Sequence, residues 1–246
     1  MEGYDAATYG DRIAEIYDRL YEHAFDVEAT VSALADLARG GRALELAIGT
    51  GRIALPLAER GVEVHGIDAS EPMVAKMRAK RGGGSIPVTF GDFADVAVDG
   101  DFSLAYIVFN TLFALTTQED QIRCFRNVAH HLAPGGIFVV EAFVPDHGRF
   151  DRDQRVQLTE MELDEVMLDV SRHDSVNQRV DSQHVVLRND GTRLYPVNLR
   201  YAWPSELDLM ARLAGLRLRE RWGGWSKERF TPSSTTHVST YELAPG

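Results

Sequence analysis

Apolar positions recur along this chain with two distinct periods, and the switches between them mark out its elements. Residues from about 5 to 24 repeat apolar side chains at three- and four-residue spacing (Ile13, Ile16, Tyr17, Leu20, Tyr21), which predicts an amphipathic helix. A second helix is predicted over about 26–39, ending at Gly40-Gly41. Strand-like runs follow at 42–47, 62–67, 86–90, 102–109 and 137–140. They are separated by helical stretches at 53–60, about 71–81 and about 116–133. Ser70 is positioned to cap one of these helices, with Pro72 in its first turn, and Thr116-Thr117-Gln118-Glu119 reads as a capping box for another. The fourth run, Phe102 to Phe109, is apolar almost throughout, as in a strand covered on both faces. Alternation of strand and helix implies right-handed crossovers and an α/β, doubly wound, mainly parallel sheet, Rossmann-like and seven-stranded once the last two strands are added.

The pattern then changes. Runs at 165–173, 180–188 and 193–201 show period two, and Asn189-Asp190-Gly191 is a turn signal between the last pair. These predict an antiparallel β insertion after strand five. A helix from Trp203-Pro204 to about 214 and strands at 216–222 and 237–243 complete the order. The expected divisions are an N-terminal helical lid at 1–40, a ligand-binding core at 41–145, the insertion at 146–202 as acceptor lid or dimer contact, and a closing helix with two core strands at 203–246.

Candidate chemistry sits at the ends of the predicted parallel strands, where ligands bind in open α/β sheets. The first strand runs into Ile48-Gly49-Thr50-Gly51, a turn in which residues without side chains let backbone N–H groups approach a ligand. The second ends in Asp68, placed to accept hydrogen bonds from a ribose diol. The third ends in Gly91-Asp92-Phe93, an acid suited to an adenine amine beside a ring able to flank the base. Glu141 closes the fifth strand, where its carboxylate could meet an acceptor amine, serve as a base, or form a structural ion pair. His147, in the next loop, is a candidate general base near neutral pH.

With Glu45, Ala47, Gly49, Thr50 and Gly51 matching a (D/E)-x-(A/G/C)-x-G-T-G motif, and Asp68 and Asp92 following in order, the chain resembles the class I S-adenosylmethionine (SAM)-dependent methyltransferases over about residues 1–145. The resemblance implies SAM as methyl donor and S-adenosylhomocysteine (SAH) as product. It implies that Asp68 holds the ribose, Asp92 the adenine, and that Ala69 and Met73 border the base. It also implies that Phe109 and Asn110 contact the methionine part. In the methyltransferases closest in layout an N-terminal helix folds over the donor, which brings Tyr9, Tyr17 and Tyr21 to the site and makes Tyr17 a candidate for contact with the acceptor. Where some members carry a His or acid as base, this chain has Phe113, Ala114 and Leu115. The layout is similar to small-molecule N- and O-methyltransferases, the amino-sugar N-methyltransferases of bacterial secondary metabolism among them.

Composition narrows the acceptor. A formal net charge of -11 with no basic stripe argues against nucleic acid and anionic membrane as partners, leaving a small molecule. A single cysteine and the lack of any signal or spanning segment fit a cytoplasmic monomer or homodimer. The basic residues are nearly all Arg, as in GC-rich bacterial genomes. Cys124, His130 and His131 share a helix without nearby partners, so no metal is expected. A nicotinamide-dependent oxidoreductase would place its fingerprint at the chain start and a Tyr-x-x-x-Lys nearby, and neither is present. A non-catalytic SAM-binding protein of the same fold is the other alternative.

Overall fold

The computed structural model describes residues 1, 3–22, 26–95 and 98–245. Its centre is a seven-stranded sheet of order β10-β11-β5-β4-β1-β2-β3, built from β1 (Ala43–Leu46), β2 (Val64–Asp68), β3 (Val88–Phe90), β4 (Phe102–Ile107), β5 (Leu132–Phe143), β10 (Leu216–Trp222) and β11 (Thr236–Leu243). Pairing from β3 through β5 is parallel, and β11 runs antiparallel to both of its neighbours. On one face α3 (Val27–Ala38), α4 (Ala54–Glu59) and α5 (Glu71–Ala79) bury Val31, Leu34, Leu57, Val74 and Met77 against Leu104, Tyr106 and Val139. On the other, α6 (Gln118–His131) and α7 (Pro204–Leu213) bury Phe125, Val128, Leu207 and Met210 against Phe102, Phe138 and Tyr241. Burial on both faces explains why β4 is apolar nearly throughout.

A separate antiparallel sheet of order β6-β7-β8-β9 follows β5, formed by β6 (Gln154–Met161), β7 (Glu165–Asp174), β8 (Arg179–Arg188) and β9 (Gly191–Arg200). The sequence pattern predicts the last three of these strands and not β6. Val156, Leu158 and Met161 are exposed, so β6 has no buried face to imprint a two-residue period. A small cluster of Ile13, Met167, Val186 and Tyr195, flanked by Tyr9, Ile16 and Tyr17, joins this sheet to the N-terminus.

The helix predicted over about 5–24 is instead two short ones, α1 (Thr8–Ile13) and α2 (Tyr17–Leu20), and positions 23 and 24 lie outside the described residues. Long-range bonds override the helical period here. Asp18 accepts the Thr50 hydroxyl at 2.5 Å and pairs with Lys80 at 2.6 Å, while Arg52 donates to the Tyr17 hydroxyl at 2.7 Å and the Tyr21 carbonyl at 3.2 Å. The 1–40 segment therefore divides: α1 and α2 pack on the second sheet and α3 on the first. Ser70 caps α5 as expected, accepting from the Met73 N–H, but α6 is capped by Thr117, one residue past the expected Thr116. Pro134-Gly135-Gly136, expected to precede β5, is taken into it, with Gly135 at φ +78° and a register shift between Phe102 and Leu104 on the partner strand. Among the described residues no helix is long and apolar enough to cross a membrane.

Candidate functional site

The turn between β1 and α4 lies where the strand order reverses, β1 having β4 on one side and β2 on the other. Ala47, Gly49 and Gly51 all adopt left-handed backbone, at φ +58°, +57° and +74°. A Cβ on Gly51 would stand 2.5 Å from Met77 Cγ, so only glycine lets this turn pack against α5. Asp68, at the end of β2, accepts the Gly49 N–H at 2.7 Å and the Ser70 N–H at 2.8 Å, tying the glycine turn to the start of α5. Burial raises its pKa against the pull of those N–H donors.

These residues border a cavity of about 220 Å³, lined among others by Glu45, Ala47, Gly49, Thr50, Asp68 and Met73, with Asp92 and Phe93 at the β3 end. Its described lining holds five carboxyl groups (Asp5, Glu45, Asp68, Asp92, Asp120) and one guanidinium, Arg52, an acidic surface suited to a cationic ligand. Glu45 is 3 % exposed and accepts the Tyr106 hydroxyl at 2.8 Å. Its burial pushes the carboxyl pKa to about 8, the Tyr106 bond opposing the rise. Gly51 and Ala69 belong to the same turns but do not line the cavity.

A second cavity of about 250 Å³ lies under the β6–β9 sheet, bordered by Tyr21, Asn110, Phe143, Arg149, Asp169 and His184. Tyr4, Tyr9, Tyr17, Arg52, Phe109, Thr111 and Ala114 line both cavities and form their common wall. There the Arg52 guanidinium sits 4.2 Å from the Phe109 ring centroid and 5.0 Å from that of Tyr17. Tyr9 and Tyr21 join hydroxyls at 2.9 Å. Burial raises the phenols of Tyr9, Tyr17 and Tyr21, Tyr17 to about 12 with Arg52 opposing, so Tyr17 is a neutral hydrogen-bonding group at physiological pH and not a base.

Besides Gly51 and Ala69, the expected residues Glu141 and His147 fall outside both linings. Glu141 is a scaffold group: its carboxylate accepts the Phe109 N–H at 3.0 Å and its carbonyl accepts the Asn110 N–H at 3.3 Å. Burial raises its pKa, offset by the Phe109 N–H and the Trp225 indole. Phe109 and Asn110 are thereby held at φ +57° and +64°, and Asn110 Oδ1 accepts the Phe143 N–H at 2.6 Å. His147 hydrogen-bonds the Tyr201 hydroxyl at 2.9 Å, and His173 bonds the same oxygen at 2.9 Å, in an aromatic cluster with Trp203. Geometry thus separates the expected general bases Glu141 and His147 from the cavities. Cys124 is buried in α6, and among the described residues no group of three or more His, Cys, Asp or Glu side chains is arranged to hold a metal.

Sequence reasoning passed over Arg52, Asp169 and Arg149. Arg52 carried a positional signal, since it follows the last turn glycine directly. Asp169 carried another: a charge at the period-two position between Met167 and Ser171, both on the buried face of β7.

Comparison with known proteins agrees with this geometry. Residues 43–136 match the model of a methyltransferase domain. The CcbJ methyltransferase from Streptomyces caelestis is 42 % identical, with 98 % of this chain and 100 % of that one covered at a TM-score of 0.91. The cypemycin N-terminal methyltransferase of a Streptomyces species is 29 % identical over 236 residues, 94 % of this chain and 95 % of its own. SAM-bound CalS10, an amino pentose methyltransferase from Micromonospora echinaspora, is 22 % identical and shares the fold, covering 92 % of this chain and 96 % of that one at a TM-score of 0.68.

Proposed function

Since the chain belongs to the SAM-dependent methyltransferases, we propose that it methylates a nitrogen or oxygen of a small molecule in bacterial secondary metabolism, with the donor in the first cavity and the acceptor in the second. The observation that carries this reading is the wall common to the two cavities, because transfer needs donor and acceptor in line across one short gap. The donor's residues fit: a glycine turn without side chains, Asp68 for the ribose diol, Asp92 and Phe93 for the base, Met73 beneath it, and Glu45 in an acidic lining for a cation. Bound SAM supplies an electrophilic methyl already activated by the sulfonium charge. The chain's own work is to orient the acceptor, exclude water and dispose of a proton.

Tyr9, Tyr17 and Tyr21 close the gap from above, and Arg52 fixes Tyr17 and the Tyr21 carbonyl in place. Phe109 lines both cavities, its backbone set by Glu141. The α1–α2 segment and the β6–β9 sheet act together as the roof. The names of two relatives favour an amine acceptor, one being a cypemycin N-terminal methyltransferase and the other an amino pentose methyltransferase.

The test is calorimetric titration with SAM, SAH and NADH of the protein and of Asp68→Ala. SAM and SAH should bind, at least tenfold more weakly in the variant at an unchanged melting temperature. Binding of NADH alone, or of no adenosyl ligand, would end the methyltransferase reading.

A further inference from the structure

The second cavity holds one carboxylate in its described lining, Asp169, and the Arg149 guanidinium of the same lining feels its charge without forming an ion pair with it. Asp169 makes no ion pair among the described residues, and its one hydrogen bond there is from the Ser171 hydroxyl at 3.2 Å. Asp169 on β7 stands directly opposite His184 on β8 in the antiparallel register, and both line the cavity. Side chains so placed have Cβ atoms about 5 Å apart, close enough for a carboxylate to stabilise an imidazolium. His184 Nε2 lies 3.4 Å from the Tyr21 hydroxyl, and that hydroxyl is 2.9 Å from Tyr9, which lines both cavities. A file of polar atoms thus runs from the common wall to an imidazole backed by a carboxylate.

We propose that the acceptor enters as a protonated amine, is held by Asp169, and gives its proton to His184 through the Tyr21 hydroxyl. This rests on the donor and acceptor cavities assigned above, and it supplies the base that the β4 loop lacks. An ammonium ion has no lone pair and cannot attack a methyl group, so the proton must leave first. The N–H bond breaks toward the Tyr21 oxygen while the Tyr21 proton passes to Nε2 of His184, whose own proton is on Nδ1. The freed lone pair forms the N–CH₃ bond, the S–CH₃ bond breaks, and its electron pair stays on sulfur. The imidazolium returns its proton to solvent as product leaves. Burial lowers the pKa of His184 and Asp169 pulls it back up, which keeps the ring neutral before transfer and steadies its charge afterwards. The other titratable and charged groups around His184 are Tyr195 across the register on β9, Tyr4, Tyr9, Tyr17 and Tyr21 near the N-terminus, and Arg52 and Arg149 on the cavity wall. Asp169 is the one carboxylate in the described lining, and it attracts a cation there against the two guanidiniums, Arg52 and Arg149.

The protein is tested with SAM and three probes: benzylamine, N-methylbenzylamine and benzyl alcohol, read as SAH release and as methylated product by mass. Both amines should be methylated and the alcohol left untouched. Asp169→Asn should raise KM for benzylamine about tenfold, and weaken benzylamine binding to the SAH-saturated protein about tenfold by calorimetry. Its SAM affinity and melting temperature should be unchanged. His184→Gln and Tyr21→Phe should each lower kcat about tenfold at pH 7, with the loss shrinking toward pH 9.5 as free amine becomes abundant. If His184→Gln melts early, His184→Asn replaces it. Methylation of the alcohol, turnover of none of the probes while SAM still binds, or a pH profile unmoved by the His184 variant would each overturn the assignment. Loss of SAM binding in the unaltered chain would instead overturn the donor reading on which it rests.

Discussion

Glu45 shows how one residue can connect folding, ligand charge and pH. Its carboxyl is buried, and its pKa rises from the ordinary 4.5 to about 8. Between those values the folded protein holds a proton that the unfolded chain has lost. Stability conferred by the neutral carboxyl is therefore fully present below pH 4.5 and declines as pH rises toward 8, by at most about 1.4 kcal/mol per unit. A cationic donor beside Glu45 favours the ionised form, so binding should expel the proton. SAM affinity is expected to rise between pH 6 and 8, by up to about tenfold per unit, with a proton released into the buffer. Calorimetry in phosphate and in Tris measures that release directly. Glu45→Gln should abolish both the release and the slope, and a slope that survives the substitution would detach Glu45 from the donor. What was legible at this scale was local. Gly49, Gly51 and Asp68 declare themselves because a turn needing left-handed backbone and an acid at a strand end are written in adjacent residues. The hydrogen bonds of Glu141 and His147 were not legible because their partners lie far along the chain, Phe109 at a separation of 32 residues and Tyr201 at 54.

At the scale of elements, buried strands were readable and surface strands were not. β4 and the 137–140 stretch of β5 announce themselves through near-continuous burial, whereas β6, exposed on nearly every residue, leaves no two-residue period. The α1–α2 break escaped detection for the opposite reason: a correct helical period was overruled by tertiary bonds from Thr50, Arg52 and Lys80. β11 holds a further feature invisible in sequence. His237 is fully buried, hydrogen-bonded through Nδ1 to Ser239 at 2.9 Å, and its pKa falls to about 3 through burial, with Arg221 adding repulsion. Here the unfolded chain binds the extra proton. Stability should fall as pH drops below about 6.5 toward 3, by up to about 1.4 kcal/mol per unit from this group alone. Urea unfolding at pH 7.5, 6 and 5 should show His237→Gln with a shallower acid decline than the unaltered chain, whatever packing energy it loses at pH 7.5. Parallel declines would show that His237 ionises normally.

For the whole molecule, the division of labour between the two sheets decides which part moves. The seven-stranded sheet is sandwiched by helices and carries the glycine turn, Asp68 and Asp92. The roof rests on a small cluster centred on Ile13, Met167, Val186 and Tyr195, together with exposed ion pairs such as Lys76–Glu15. Exposed pairs of this kind contribute at most about 1 kcal/mol each. Local opening of the roof should therefore cost less than global unfolding, and ligands enclosed by it must enter through such openings. Hydrogen exchange read by mass spectrometry should find α1, α2, β7 and β8 exchanging ahead of β1, β4 and β5. Saturating SAH should slow α1 and α2 most, because Tyr9 and Tyr17 line the donor cavity. Met167 is 1 % exposed, and Met167→Ala should lower the opening cost by about 2–4 kcal/mol. Exchange in the roof and the dissociation rate of SAH should then rise together, while β4 and β5 stay protected. Equal acceleration in both sheets would mean that the roof and the core unfold as one unit, and that ligand exit has another route.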